Sequence, residues 1–164
     1  MLILLKNKYT LQVESFFFKC VIGLNGTSKR KKEGDKKTPK GIYEIENLYY
    51  RRDRIKKIET KLRLIEIKKS MGWCDDIKDK KNYNKLININ EKTKHEKLFR
   101  KDNKYDLLIP IKYNFKKRIL SKGSCIFIHL TKNYKPTAGC IALSKKDFLI
   151  MLKLIGRKTK IKIS

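Results

Sequence analysis

Between Gly123 and Phe148 the chain reads GSCIFIHLTKNYKPTAGCIALSKKDF. Two short apolar runs, one ending at His129 and one opening at Gly139-Cys140, flank a polar loop with a single proline. Runs this short, bounded by turn residues, read as strands. Ser144 followed three residues later by Asp147 is an N-cap pattern, and Phe148, Leu149, Leu152 and Ile155 then recur at helical spacing until Gly156. Any fold for this chain must therefore accommodate strand, loop, strand and helix in quick succession, with a histidine and a cysteine at the two ends of the loop.

Two strands joined in this way can bring the imidazole and the thiol face to face. A free cysteine has a pKa of roughly 8.5 and is mostly protonated near neutral pH, and a neighbouring imidazole that accepts the proton removes that limit. Gly139 removes a side chain where a substrate carbonyl would approach, and it lets backbone N–H groups face a developing oxyanion. Pro136-Thr137 stiffens the loop that delivers the cysteine. The competing reading is a small buried thiol and a satisfied core histidine.

The rest of the chain is strand-rich. Leu2 to Leu5 and Tyr9 to Val13 read as a hairpin turning at Asn7-Lys8, and Phe16 to Ile22 as a third strand stopped by Gly23. Thr27 to Lys40 is a charged loop turning at Gly34-Asp35, and Thr38-Pro39-Lys40-Gly41 leads into a strand over Ile42 to Ile45. Tyr49 to Lys69 is strongly basic with no clean period, and reads as a solvated loop or a surface that meets an anionic polymer. Met71 to Asp76, MGWCDD, holds the only tryptophan. Trp73, Asp75 and Asp76 are candidates for lining a substrate cleft, with an aspartate holding a substrate amine, and Cys74 is a rival nucleophile. Thr93 to Arg100 reads as a short helix capped by Thr93 with an exposed His95. Asp106 to Lys112 reads as a strand, which Pro110 places at an edge or a bulge. Ser124 to Leu130, Cys140 to Leu143 and Thr159 to Ile163 are the remaining strands.

The 164 residues favour one domain spanning 1–164. Lys plus Arg number 43 against 16 Asp plus Glu, a net charge of +27. Such a charge fits a polyanionic partner, or a solvated surface in a lysine-biased chain, since the lysines are spread along the sequence. A basic nucleic-acid-binding module without catalysis is the rival function; no RNP, KH or helix-turn-helix pattern supports it, and no specific nucleic acid is expected. The four cysteines include no C-x-x-C pair. Cys125 and His129 would share one face of a strand, too few ligands for a metal. No run reaches the roughly 18–20 apolar residues of a membrane-spanning helix, and MLILLKNKYT does not read as a secretory signal.

His129, then Thr137-Ala138-Gly139-Cys140-Ile141 with Leu143 and Asp147 behind, resembles the catalytic motif of the YkuD-type L,D-transpeptidases. Thr38-Pro39-Lys40-Gly41 before a strand resembles that family's second motif, and Gly72-Trp73-Cys74-Asp75-Asp76 with Tyr83-Asn84 resembles an insertion of one of its branches. The chain departs at Leu130, where Gly or Ser is usual, at Ala138, where many members have a second His, and at Ala142, where many have Arg or Asn. The resemblance implies a mainly β (α+β) fold, a YkuD-like β-sandwich with a short helix after the nucleophile strand. It implies acyl transfer between peptidoglycan stem peptides through a Cys140 thioester, with His129 as general base and acid, Gly139 supplying an oxyanion N–H, and Thr137, Trp73, Asp75 and Asp76 near substrate. The Leu130 carbonyl would orient the imidazole. No metal or organic cofactor is required. The family's partners would be stem peptides and carbapenem-type β-lactams, with anionic envelope polymers a further candidate. An L,D-carboxypeptidase variant would use the same parts, and the expected location is the cell envelope.

Overall fold

In Leu2–Asn7 (β1), Ile3 and Leu5 are buried while their neighbours are exposed or half-exposed, the period of two that a strand shows when one face covers a core. Thr10–Val13 (β2) repeats the pattern through Leu11 and Val13, and Phe16–Val21 (β3) through Phe18 and Cys20. The first hairpin turns at Lys8-Tyr9, one residue later than the sequence implies, because β1 extends to Asn7 and its side-chain Oδ1 accepts the Tyr9 N–H at 2.9 Å. The computed structural model describes residues 1–89 and 92–164.

The remaining strands follow in order. Thr27–Ser28 (β4) pairs in parallel with Thr38–Pro39 (β5), bracketing the charged loop. Gly41–Glu44 (β6), Leu48–Tyr50 (β7) and Leu64–Glu66 (β8) come next. Met71–Cys74 (β9), Leu86–Asn88 (β10) and His95–Lys97 (β11) form a small three-stranded sheet with β9 central. Leu107–Pro110 (β12), Phe127–Leu130 (β13) and Ile141–Leu143 (β14) precede the helix Lys145–Leu154 (α1), and Lys160–Ile163 (β15) closes the chain.

Ten strands form one sheet in the order β6-β15-β1-β2-β3-β14-β13-β12-β7-β8. Near-consecutive β6 and β7 lie far apart in that order, yet only residues 45–47 join them. The sheet must therefore turn back on itself. It does so through a bridge between Ile45 and Ile111, with the Lys112 N–H on Glu44 O at 2.9 Å and the Glu46 N–H on Pro110 O at 2.9 Å. Its two halves enclose the main core, which takes Ile3, Leu11 and Ile161 from one side and Leu107, Ile128 and Ile141 from the other. The helix adds Phe148, Met151 and Leu152, each stabilised by roughly 1.5–3 kcal/mol on burial. Ser144 caps it as expected, its hydroxyl accepting the Asp147 N–H at 3.1 Å.

Four expectations are corrected. Thr93 to Arg100 contains a strand, β11, because an eight-residue helix is marginal alone and β9 offers backbone partners, with His95 opposite Cys74. His95 is half-buried, its ring covering Gly72. Pro110 lies in an interior strand, but at its last residue, beyond the positions that pair with β7, so no ladder bond is lost. The basic stretch after Tyr49 is partly structural: Arg51 is 3% exposed, its guanidinium lies 3.5 Å from the Phe99 ring centroid, and Arg54 donates to Asp106 and to the carbonyls of Lys101 and Asp102. Finally, β13 begins only at Phe127. Cys125 takes a φ of 53°, so it does not share a strand face with His129.

Candidate active site

Two paired strands bring the thiol and the imidazole to one cleft. β13 and β14 run parallel, with Ile128 beside Ile141 and His129 beside Ala142. Ile128, Leu130, Ile141 and Leu143 belong to the main core. By alternation Phe127 and His129 take the opposite face, and Cys140, one residue before Ile141, joins Phe127 in a second cluster with Tyr49, Trp73, Tyr105 and Leu108. Cys140 and His129 both line a cleft of about 1480 Å³. Ala142 also lines it, so the strand position beside the imidazole carries only a methyl group.

The loop between the strands is pinned rather than free. Its Thr137 N–H donates to Ile22 O at 3.0 Å, and Thr137 O accepts the Leu24 N–H at 2.9 Å. The Thr137 hydroxyl donates to Cys140 O at 2.6 Å and accepts the Gly139 N–H at 3.1 Å. It thereby orders the turn that presents the cysteine, and it engages the Gly139 amide expected to face an oxyanion. Gly139 matters instead for its shape. Its φ is +141°, and a Cβ there would stand 2.8 Å from the Lys37 carbonyl oxygen. The hydroxyl of Thr38, wholly buried, accepts the Gly23 N–H at 3.0 Å and donates to Gly139 O at 2.9 Å.

His129 Nδ1 lies 2.8 Å from Leu130 O. A carbonyl oxygen only accepts, so Nδ1 carries the proton and Nε2 keeps a lone pair. Burial pushes the imidazole down to about 4, against a raising contribution from the Leu130 carbonyl. Burial likewise pushes the Cys140 thiol up to about 12, opposed by the Phe127 N–H, which reaches the sulfur at 3.3 Å, and by Lys31. The thiol donates to Cys125 O at 3.1 Å. At neutral pH the pair therefore rests as thiol and neutral imidazole.

The insertion divides its candidates. Asp75 and Asp76 line the cleft. Asp76 is occupied by the N–H groups of Lys78 at 2.9 Å and Lys94 at 3.3 Å. Among the described residues Asp75 Oδ1 is buried with no partner, its Oδ2 sits 3.7 Å from the Lys94 ammonium, and burial pushes its carboxyl above the usual range. Trp73 does not line the cleft. It is 3% exposed, packs on Tyr49, Phe115 and Phe127, and donates to Asn84 Oδ1 at 3.0 Å. It is a pillar behind the site because an indole paired across β9 inside an aromatic cluster has no open face. Cys74 is fully buried away from the cleft, which removes it as a rival to Cys140.

Sequence reasoning missed several supports. The Tyr105 ring meets the His129 ring edge-on at 5.2 Å, and its hydroxyl donates to Glu96 Oε1 at 3.1 Å, which Arg100 also holds at 2.9 Å. Glu33 accepts from the hydroxyls of Tyr83 at 2.5 Å and Ser124 at 2.7 Å, tying the charged loop to the approach to β13. Only Thr38 carried a signal, as part of the Thr-Pro-x-Gly motif; Tyr105 and Glu33 have none outside the folded chain. Among the described residues no group of three or more His, Cys, Asp or Glu side chains converges as a metal site.

Comparison with curated proteins and with solved structures returns no match. A family model does match, that of the YkuD L,D-transpeptidase catalytic domain, over residues 2–163. Members of that family act on peptidoglycan stem peptides. The match takes in β1 through β15, so both the folded-back sheet and the His129/Cys140 cleft lie within it. The chain belongs to the YkuD family of L,D-transpeptidase catalytic domains.

Proposed function

We propose that residues 1–164 form a single catalytic unit that cross-links peptidoglycan stem peptides through a Cys140 thioester, with His129 as general base and acid. The observation that carries this reading is that Cys140, directly before β14, and His129, on the β13 strand paired with it, line one cleft, with the imidazole anchored through Nδ1. On binding of substrate the thiol proton turns from Cys125 O to His129 Nε2 as sulfur attacks the carbonyl of a diaminopimelate-type residue. The carbonyl electrons move to oxygen, where the Cys140 amide is the nearest candidate donor now that the Gly139 amide is engaged by Thr137. The tetrahedral adduct collapses, the C–N bond to D-alanine breaks, and the imidazolium returns its proton to the departing amine. An acceptor amine from a second stem then attacks the thioester, gives a proton to His129, and releases the cysteine as thiolate, which takes that proton back.

Asp75 lines the cleft and has a buried oxygen with no partner among the described residues, which suits it to the substrate's side-chain ammonium. Arg100 and Lys104 line the same cleft and suit its carboxylates. The +27 charge favours work close to anionic envelope polymers, in the compartment where stem peptides are found. Intact mass after mixing with a carbapenem tests the nucleophile: one adduct on wild type, absent from Cys140→Ser, supports it, and an unmodified folded wild type refutes it. Muropeptide products then separate cross-linking from hydrolysis.

A further inference from the structure

Lys31 is the one lysine classed as buried among the described residues. Its side chain is 3% exposed, although 43 Lys and Arg residues make cations abundant on the surface. A buried ammonium needs a partner, and Lys31 Nζ has Asp35 Oδ1 at 2.7 Å and Lys32 O at 3.3 Å. Asp35 is itself saturated, taking the N–H groups of Lys32 at 2.8 Å and Lys37 at 2.9 Å, and its carboxyl is held below the usual range. Two glycines open the path of the lysine stem. A Cβ on Gly123 would fall 2.9 Å from Lys31 Cε, and one on Gly139 would fall 3.5 Å from Nζ. The ammonium thus lies close to the Gly139-Cys140 turn, and Lys31 lines the cleft.

We propose that Lys31 is a positioning residue, holding a fixed positive charge beside the Gly139-Cys140 turn that offsets the negative charge developing on sulfur during acyl transfer. The inference rests on the assignment of Cys140 as nucleophile. The other charged or titratable groups around that sulfur are His129 on β13, Cys125, Tyr105, Glu96 on β11 with its partner Arg100, and Asp35, the counter-charge of Lys31. Glu96 opposes a negative sulfur and the two protonated neighbours carry no charge, while His129 is neutral. Among the groups that perturb the thiol, Lys31 is the cation, and it lowers the cost of the thiolate. After burial, the largest influences on Cys125 are Asp75, Ser124, Cys140 and Glu96.

The test reads the thiol directly, without cell-wall substrate. The rate of Cys140 alkylation by iodoacetamide is followed at pH 8 by peptide mass spectrometry, with Cys125 in the same molecule as internal control and circular dichroism as the check on folding. Below the thiol pKa this rate follows the thiolate fraction, so removing one nearby charge changes it about tenfold. Lys31→Met, which keeps the stem, is expected to slow Cys140 about tenfold and leave Cys125 unchanged. Lys31→Arg restores the rate. Asp35→Asn, which frees the ammonium of its counter-charge, is expected to accelerate Cys140. A loosened turn would move both thiols, and would move the Lys31 and Asp35 variants in the same direction. Folded Lys31→Met alkylating at the wild-type rate overturns the proposal. If Lys31→Met does not fold, Asp35→Asn decides: a rate at or below wild type overturns it, a faster one supports it. A folded wild type whose Cys140 resists alkylation at every pH removes the nucleophile reading, and Lys31's role with it.

Discussion

Replacing Thr38 by Val removes one hydroxyl and leaves the side-chain shape nearly unchanged. That hydroxyl is fully buried and bridges the Gly23 N–H at 3.0 Å to the Gly139 carbonyl at 2.9 Å. Val strands both backbone groups in a site water does not reach. Each unsatisfied group costs about 1–3 kcal/mol, so the pair costs about 2–4 kcal/mol once some relaxation is allowed. For a chain of this size that is a fall in Tm of roughly 5–15 °C. Thr38→Ser keeps the bridge and loses one methyl group, a cost of about 1 kcal/mol. The assay is urea unfolding of wild type, Thr38→Ser and Thr38→Val, with the rate of carbapenem acylation measured on the same samples. Thr38→Val is expected to lower the midpoint without changing the slope and to slow acylation, because the carbonyl it releases belongs to the residue before Cys140, the proposed nucleophile. If Thr38→Val lies within about 0.5 kcal/mol of wild type, below the effect of a single unmet buried group, the bridge does not hold the turn and the reasoning fails.

Carbapenem acylation is expected to be flat between about pH 5 and 9, since the imidazole titrates near 4 and the thiol near 12; a step near pH 6.5 in the acylation rate would instead show an imidazole titrating at its ordinary value. Global stability should fall with acid over the same histidine. Its folded value of about 4 lies below the ordinary 6.5, so the unfolded chain binds the proton first and stability drops as pH goes from 6.5 to 4, by about 3 kcal/mol. In His129→Gln that part of the acid loss is absent, which denaturant titrations at pH 7 and 4.5 will resolve. Asp75→Asn is expected to weaken stem peptides with a free side-chain amine about tenfold and to leave amine-acetylated analogues unchanged, as read by competition binding; equal loss for both would remove the amine assignment.

Elements whose pattern is local were legible. β1 to β3 alternate cleanly, α1 carries its cap and its apolar stripe, and β15 alternates over Lys160–Ile163. Elements defined by a partner were not. β11 is three residues long and exists because β9 pairs with it. β7 and β8 hide in a basic stretch because only Leu48, Tyr49 and their neighbours bear on the core, while Arg51 is held by Asp53 at 2.7 Å and by the Arg100 carbonyl at 2.7 Å. A charged side chain that ends in a satisfied hydrogen-bond network looks, in sequence, the same as one in water.

The candidate site divides along the same line. His129 lies on β13 and Cys140 directly precedes β14, which pairs with it, so their place in one cleft follows from a short stretch of chain. What holds them comes from elsewhere by way of one further pairing. β14 also pairs with β3, Val21 beside Ala142 and Cys20 beside Leu143. The chain leaving β3 must then run along the loop between β13 and β14, and Gly23 meets Thr137 there in a parallel bridge. The next residues lead into the charged loop, which returns as β5 directly under Gly139. Thr38 and Lys31 thus arrive at the Gly-Cys turn because β3 and β14 share a ladder. A residue pattern more than a hundred positions away from its target has no local period to betray it, so nothing in the charged loop's own sequence places Lys31 and Thr38 beside the turn that carries Cys140.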